Sequence, residues 1–303
     1  MPTAALSTLR PRRRTGWPAW IRVTALLSPA LIVVAVFFVG GVGEALLQSL
    51  GYQPFLGSPQ WSVAAYRALW TDPAVRASFG LTARVALLST VGATVVGMAA
   101  ALLLRRLGRG WRWVAAVFQA NLAVPHLVGA LCFLLLLSQA GLVSRFTHAV
   151  GLTGAPSDFP VITGDAFGWG VIAEYLWKET PFMALVTTAA LGPGLAELEA
   201  AARTLGAGPV QRLLRVTLPT LAPSVVAGSV LVLAFSAGSY EVPLVLGRSY
   251  PATLPVVAYQ YFRDTDLTVR PVAMALAVVI AVLSAAVAAI YLAVAGRLSR
   301  RTL

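Results

Sequence analysis

Residues 85–104 read Val85-Ala86-Leu87-Leu88-Ser89-Thr90-Val91-Gly92-Ala93-Thr94-Val95-Val96-Gly97-Met98-Ala99-Ala100-Ala101-Leu102-Leu103-Leu104, and Arg105-Arg106 follow at once. As a helix rising about 1.5 Å per residue, such a stretch covers about 30 Å, the thickness of bilayer hydrocarbon. A water-facing helix of that length keeps a charged face; this one has no charge at all. Working outward, five more stretches have the same character, at about 23–43, 114–137, 167–191, 221–240 and 271–296. Polar Gln119, Asn121 and His126 interrupt the third, and Glu174, Lys178 and Glu179 fall in the first half of the fourth. The expected fold class is therefore an all-α membrane protein with six transmembrane helices. A basic tail (1–22) precedes the membrane domain (23–296), an inner loop (192–220) lies within it, and a short tail (297–303) follows.

Composition supports lipid as part of the solvent. Of 303 residues, 58% are hydrophobic and 11% charged, and the mean hydropathy is +0.79. A soluble domain carries about a quarter charged residues. The net charge of +12 comes from basic residues dispersed between apolar spans, not from a stripe with interleaved aromatics, so nucleic acid is not the expected partner. Lys178 is the only lysine. It follows Tyr175-Leu176-Trp177 with no glycine-rich turn, so the chain has no P-loop and does not itself hydrolyse ATP. No catalytic residue is expected. The single cysteine, Cys132, allows no internal disulfide or cysteine metal cluster; its Leu- and Phe-rich surroundings predict a buried thiol. His148 is alone, and no metal site is expected.

Arginine placement orients the spans, because short inner loops are enriched in Lys and Arg. With both ends inside, the inner segments hold Arg10, Arg12, Arg13, Arg14, Arg22, Arg105, Arg106, Arg109, Arg112, Arg203, Arg212, Arg215, Arg297, Arg300 and Arg301, which is 15 of 23 basic residues. The first span is expected to be retained, since Val39 to Glu44 lacks a small-x-small cleavage site. Outside, Tyr66 to Trp70 reads as a short surface helix ending at Asp72-Pro73. Residues 241–271 are too apolar for a plain solvated loop.

The inner loop runs Gly194-Leu-Ala-Glu197-Leu-Glu199-Ala-Ala201-Ala202-Arg203-Thr-Leu-Gly206-Ala-Gly208-Pro209-Val-Gln-Arg212-Leu213-Leu214-Arg215-Val216-Thr-Leu218-Pro219. Residues 195–205 favour helix. Gly206 and Gly208 accept the positive φ that ends one, and Pro209 suits a first helical position. The expectation is two short helices about a glycine hinge, the second stopping before Pro219, lying along the inner membrane face as a docking knob.

This loop resembles the signature loop of the permease subunits of binding-protein-dependent ABC importers. That pattern reads Glu-Ala-Ala, three residues, Gly, nine residues, an aliphatic residue, one more, then Leu-Pro. Ala201, Ala202, Gly206, Val216, Leu218 and Pro219 match; Ala200 stands where the pattern has Glu, with Glu199 and Glu197 just before it. Tyr66 to Ser89, Trp177-Lys178-x-x-Pro181-Phe182 and Tyr240-Glu241-Val242-Pro243 with Leu246-Gly247 are similar to family segments, so the resemblance covers about residues 60–295. It implies a type I importer fold in the bacterial inner membrane. It also implies a second permease subunit (a heterodimer rather than a homodimer), two cytoplasmic ATPase subunits that hold ATP and Mg, and an external substrate-binding protein. The chain itself would bind no cofactor. The coupling residues would be Glu199, Ala201, Ala202, Arg203, Gly206, Arg212, Leu213, Leu214, Leu218 and Pro219. The Thr204-Leu205-Gly206 form looks closer to the family's polyamine, iron and related branches than to its sugar permeases, which implies polyamine, iron, thiamine-like or phosphonate cargo.

The substrate-pathway candidates are His126, Glu174, Lys178 and Glu241. Glu174 and Lys178 stand four apart and are expected to pair near the outer end of their span, where charge reaches water. His126 is expected to bond carbonyls freed by Pro125. Ala93/Gly97 and Ser224/Gly228 are small-residue pairs that let helices approach. The alternative function, a stand-alone secondary transporter, predicts inverted repeats with broken helices and midplane charge; neither half of the chain repeats the other.

Overall fold

The computed structural model describes residues 18–53, 61–105 and 112–299. Arg10, Arg12, Arg13, Arg14, Arg106, Arg109, Arg300 and Arg301 lie outside these residues, as do the side chains of Arg112 and Arg297. The described residues form helices joined by turns, with no strand. The chain falls into two compact units, Met1–Ala45 and Leu46–Leu303.

Helix α1 (Trp20–Ser49) is longer than its predicted span and carries a π-turn at Ala35–Val39. Leu26, Phe37 and Phe38 are exposed along it, as lipid-facing side chains are. After the end of α1, the second unit continues with α2 (Ala64–Thr71) and α3 (Pro73–Leu104). Asp72 starts α3: its Oδ1 accepts from the Ala74 N–H at 2.8 Å, and Pro73 occupies the first turn, where its missing N–H costs nothing. The helix thus starts twelve residues before the predicted span (85 − 73 = 12). The helix at Tyr66 to Trp70 is present but not superficial, because Ala65 and Leu69 are buried against α3 and the last helix.

The predicted third span is not one helix. α4 (Arg112–Ala120) passes through a 3-10 turn, Asn121–Ala123, into extended backbone at Val124 and Pro125 before α5 (His126–Leu137) begins. The short α6 (Leu142–Ala149) follows. α7 (Trp169–Ala190) is the fourth span, and α8 (Pro193–Thr204) turns from it by 68°. α9 runs unbroken from Pro209 to Gly238, so the expected stop before Pro219 does not occur. A π-turn at Leu213–Thr217, where the Leu218 N–H donates to the Leu213 carbonyl, shifts the hydrogen-bond register so that the helix continues past Pro219. α10 (Glu241–Leu246), α11 (Leu254–Phe262) and α12 (Arg270–Ser299) complete the unit. Among the described residues five helices are long and apolar enough to cross a membrane, α5 and α6 being counted together, and six when α7 with α8 counts as one bent span.

α3 organises the packing, since all three buried clusters draw on it. Leu81 and Val85 meet Ala130, Tyr175 and Val242; Val75 meets Leu69, Leu254 and Leu276; Ala93 meets Met183, Leu195 and Leu221. In lipid, helix association rests on close packing and interhelical hydrogen bonds. Both are present: Ala93 and Gly97 let α3 close on α7, and Thr94 and Ser229 hydroxyls bond across α3 and α9 at 2.8 Å. Thr82 Oγ1 accepts from the Leu254 N–H at 2.8 Å, satisfying the start of α11 from a different helix. The apolar 241–271 segment is accordingly part of the bundle, with Val242, Leu246 and Leu254 buried.

Candidate functional site

Two places collect the sequence candidates, the inner loop and a charge cluster on α7. In the loop, Gly192 and Pro193 start α8, and buried Leu195 anchors it to the α3–α7–α9 core. One turn on, Glu199 Oε1 accepts from Arg105 Nη1 at 3.1 Å and from the Thr217 hydroxyl at 2.6 Å, while Oε2 accepts from Arg105 Nη2. The Arg105 guanidinium, helped by the Thr217 hydroxyl and against partial burial, holds the Glu199 carboxyl below the usual carboxylate range. Glu199 therefore ties α8 to α3 and α9.

α8 ends in a Schellman turn. The Ala207 N–H donates to the Ala202 carbonyl and the Gly206 N–H to the Arg203 carbonyl, both at 3.0 Å, with Gly206 at φ +84°. Only Gly206 takes positive φ; Gly208 is extended (φ −67°, ψ 169°) as the residue before Pro209. Exposed Leu198, Leu205, Val210, Leu213 and Leu214 stand about this turn, with Leu205 at 88% the most exposed of them. Ala201, Arg203, Arg215 and Pro219 are also exposed, whereas Ala202, Arg212 and Leu218 are half-buried. Sequence reasoning missed Leu198 and Leu205. Their seven-residue separation, two helical turns, was the available signal.

The second place is built from two helix defects that satisfy each other. Pro181 lacks the N–H that would bond the Trp177 carbonyl, and Asn121 Nδ2 donates to that carbonyl instead, at 2.8 Å. The break between α4 and α5 frees the carbonyl of Val124 and leaves that of Asn121 with only the Val124 N–H, at 3.1 Å, and Lys178 Nζ donates to both. Non-helical backbone at membrane depth survives only with such partners. Two expectations are corrected here. Lys178 does not pair with Glu174 or reach outward, because the freed carbonyls hold its ammonium inside the bundle, 4% exposed. His126 does not take those carbonyls, because Lys178 already has them.

His126 lies between two carboxylates, with Nδ1 3.7 Å from Glu174 Oε1 and Nε2 3.6 Å from Glu179 Oε1. Its ring packs on Phe235 at 4.6 Å between centroids. Glu174 is fully buried, and neither carboxylate oxygen has a hydrogen-bond donor among the described residues. A cavity of about 280 Å³ adjoins, lined by His126, Lys178, Glu179, Phe182, Leu231 and Phe235. The structure thus joins three pathway candidates and adds Glu179, which stood beside Lys178 in the sequence. Glu241 is elsewhere, exposed as the first residue of α10, where helix-dipole charge favours an acid. Cys132 is exposed on α5 rather than buried. Among the described residues no three His, Cys, Asp or Glu side chains are grouped to hold a metal ion.

Comparison with known proteins agrees with this architecture. Residues 93–302 match the family described as binding-protein-dependent transport system inner membrane component. The molybdenum transport system permease protein ModB of Mycobacterium bovis is 32% identical over 207 residues, 67% of this chain and 75% of that one. The sn-glycerol-3-phosphate transport system permease protein UgpA of Salmonella choleraesuis is 30% identical over 221 residues, 72% of each chain. A bacterial ABC transporter that imports the acidic polysaccharide alginate shares the fold: its chain is 19% identical with a TM-score of 0.74, covering 92% of this chain and 96% of that one. The chain is therefore a multi-pass membrane protein and transport component, and it belongs to the inner-membrane permease family of binding-protein-dependent ABC importers.

Proposed function

We propose that this permease subunit couples to a cytoplasmic ATPase through α8 and the start of α9. It would work with a second, different permease subunit, two ATPase subunits that carry ATP and Mg, and an external binding protein. The observation that carries the reading is α8, turned 68° from α7, with Leu198, Leu205, Val210 and Leu214 exposed about its glycine turn. Apolar side chains clustered about such a turn suit burial in a partner's groove. Arg215, also exposed, suits an acidic rim. The π-turn and the Glu199–Arg105 tie make α8 move with α3 and α9, so a pull on the loop reaches the helices that line the path. That path would pass His126, Glu174, Lys178 and Glu179, while Glu241 would face the binding protein. Both ends of the chain would lie in the cytoplasm. Among polyamine, iron, thiamine-like and phosphonate cargo, phosphonate shares a phosphorus oxyanion with the sn-glycerol-3-phosphate for which the UgpA relatives are named, and we carry that class forward.

Leu205→Asp tests the coupling. Leu205 is 88% exposed, so the fold does not need it, while burying a leucine in a groove is worth about 1.5–3 kcal/mol. ATPase-subunit binding to the purified chain is expected to weaken roughly ten- to a hundred-fold, with unchanged melting. Unchanged affinity would remove the loop from the interface.

A further inference from the structure

At the end of the second unit that carries the loop, a cleft of about 610 Å³ opens between α3, α8 and α9. Leu102, Leu103 and Leu213 give it apolar wall, and Arg105, Arg203 and Arg212 surround its one carboxylate, Glu199. That carboxylate is already engaged by Arg105 and the Thr217 hydroxyl. Among the described residues neither Arg203 nor Arg212 enters an ion pair. Three guanidiniums against one carboxylate leave a surplus of two positive charges. Arg212 Nε is moreover buried with no acceptor. A buried charged donor left without an acceptor is costly, and native structures satisfy such groups.

We propose that this cleft is a phosphate-binding site, with Arg203 and Arg212 as its ligands and Glu199 as the strut that keeps Arg105 in the wall. A guanidinium fork matches the spacing of phosphate oxygens, and Arg212 Nε gains its missing acceptor. A phosphate group reaches the cleft from two sources, the headgroup of an anionic phospholipid in the leaflet where α3 ends, or a free phosphate in solution. Basic pockets between helices at a membrane surface take lipid headgroups, and the leucine wall offers a place for the start of an acyl chain. Occupancy would brace α8 against α3 and α9. The site does not depend on the docking role of α8, and its test needs no ATPase.

The full chain would be purified and reconstituted in nanodiscs of phosphatidylcholine, with or without phosphatidylglycerol, and separately with inorganic phosphate added. Retained lipid would be read by native mass spectrometry and stability by tryptophan-fluorescence melting. The wild type is expected to retain phosphatidylglycerol several-fold more than the Arg203→Ala/Arg212→Ala double variant, and to melt higher with it. Arg203→Lys/Arg212→Lys keeps the charge and guards against misfolding; it should retain an intermediate amount. Phosphatidylglycerol dependence identifies the headgroup, and a shift with inorganic phosphate alone identifies a free oxyanion. Either supports the site. It is overturned if the double variant matches the wild type in both arms. It is equally overturned if Arg215→Ala, outside the cleft, loses as much lipid as the double variant.

Discussion

Lys178, the chain's one lysine, closes the break in a neighbouring helix segment 54 and 57 residues away. Glu174, one turn earlier on α7, is buried without a hydrogen-bond donor among the described residues. These neighbours should respond oppositely to loss of charge. Lys178→Met orphans the Val124 carbonyl, while the Asn121 carbonyl keeps the Val124 N–H, and one orphaned acceptor costs about 1–3 kcal/mol. Glu174→Gln keeps the shape, discards a charge that the bundle desolvates, and supplies an amide donor. Melting of the purified protein in detergent should therefore drop clearly for Lys178→Met and hold or rise for Glu174→Gln. A Lys178→Met variant as stable as wild type would mean that the ammonium does not hold the break. A Glu174→Gln variant that falls as far would mean that its carboxylate has a partner of its own.

Among the helices, the pairing of α3 with α7 is the most extensive, and two glycines on α3 test how close it is. A Cβ at Gly97 would stand 2.6 Å from Met183 Cβ, 2.8 Å from the Thr180 carbonyl and 2.9 Å from the Ala184 nitrogen. Backbone atoms on a packed helix cannot step aside. A Cβ at Gly92 meets only Leu176 Cδ1, at 2.8 Å, and a leucine tip turns away cheaply. Gly97→Ala should destabilise by about 1–3 kcal/mol, the usual cost of overpacking, and Gly92→Ala by much less, both read as melting temperature. Equal losses would show that α3 and α7 are not in backbone contact at Gly97. The small-residue spacing of Ala93 and Gly97 was legible in the sequence because it is local to one helix. The six apolar spans were legible for the same reason, hydropathy being a property of each stretch alone. A disturbance at Pro125 was legible as well, but the group that closes the break there and the continuation past Pro219 were not. Each is settled by a partner or a shift of register, Lys178 in one case and the π-turn at Leu213–Thr217 in the other, and neither leaves a mark in residue periodicity. In the charge cluster, spacing put Glu174 and Lys178 on one face but could not show that the carbonyls of Asn121 and Val124 would outcompete the carboxylate.

Across the second unit, the short segments at one end are mainly basic, while the longer ones at the other mix acidic residues with Arg67, Arg76, Arg145, Arg263 and Arg270. Arg105, Arg203 and Arg212 meet about Glu199 where α3 finishes and α8 begins. At the other end Asp72 caps α3, Asp165 accepts from the N–H groups of Phe167, Gly168 and Trp169 at the start of α7, and Asp72 also accepts from the Tyr261 hydroxyl of α11. α7, with 22 residues, spans about 33 Å between these ends at about 1.5 Å per residue, enough to cross hydrocarbon. Basic residues gather on the cytoplasmic side of short loops, so the Arg105 end should face the cytoplasm and the Asp165 end outward. Because Cys132 is the only cysteine, Cys132→Ser gives a thiol-free background. In it, Ser157→Cys places a thiol on the exposed turn before Asp165, and Gln211→Cys places one on the exposed start of α9. A membrane-impermeant maleimide added to intact spheroplasts should label Ser157→Cys, and should label Gln211→Cys only once the membrane is opened. The reverse pattern would invert the protein, put the glycine turn outside, and leave α8 with no ATPase to meet.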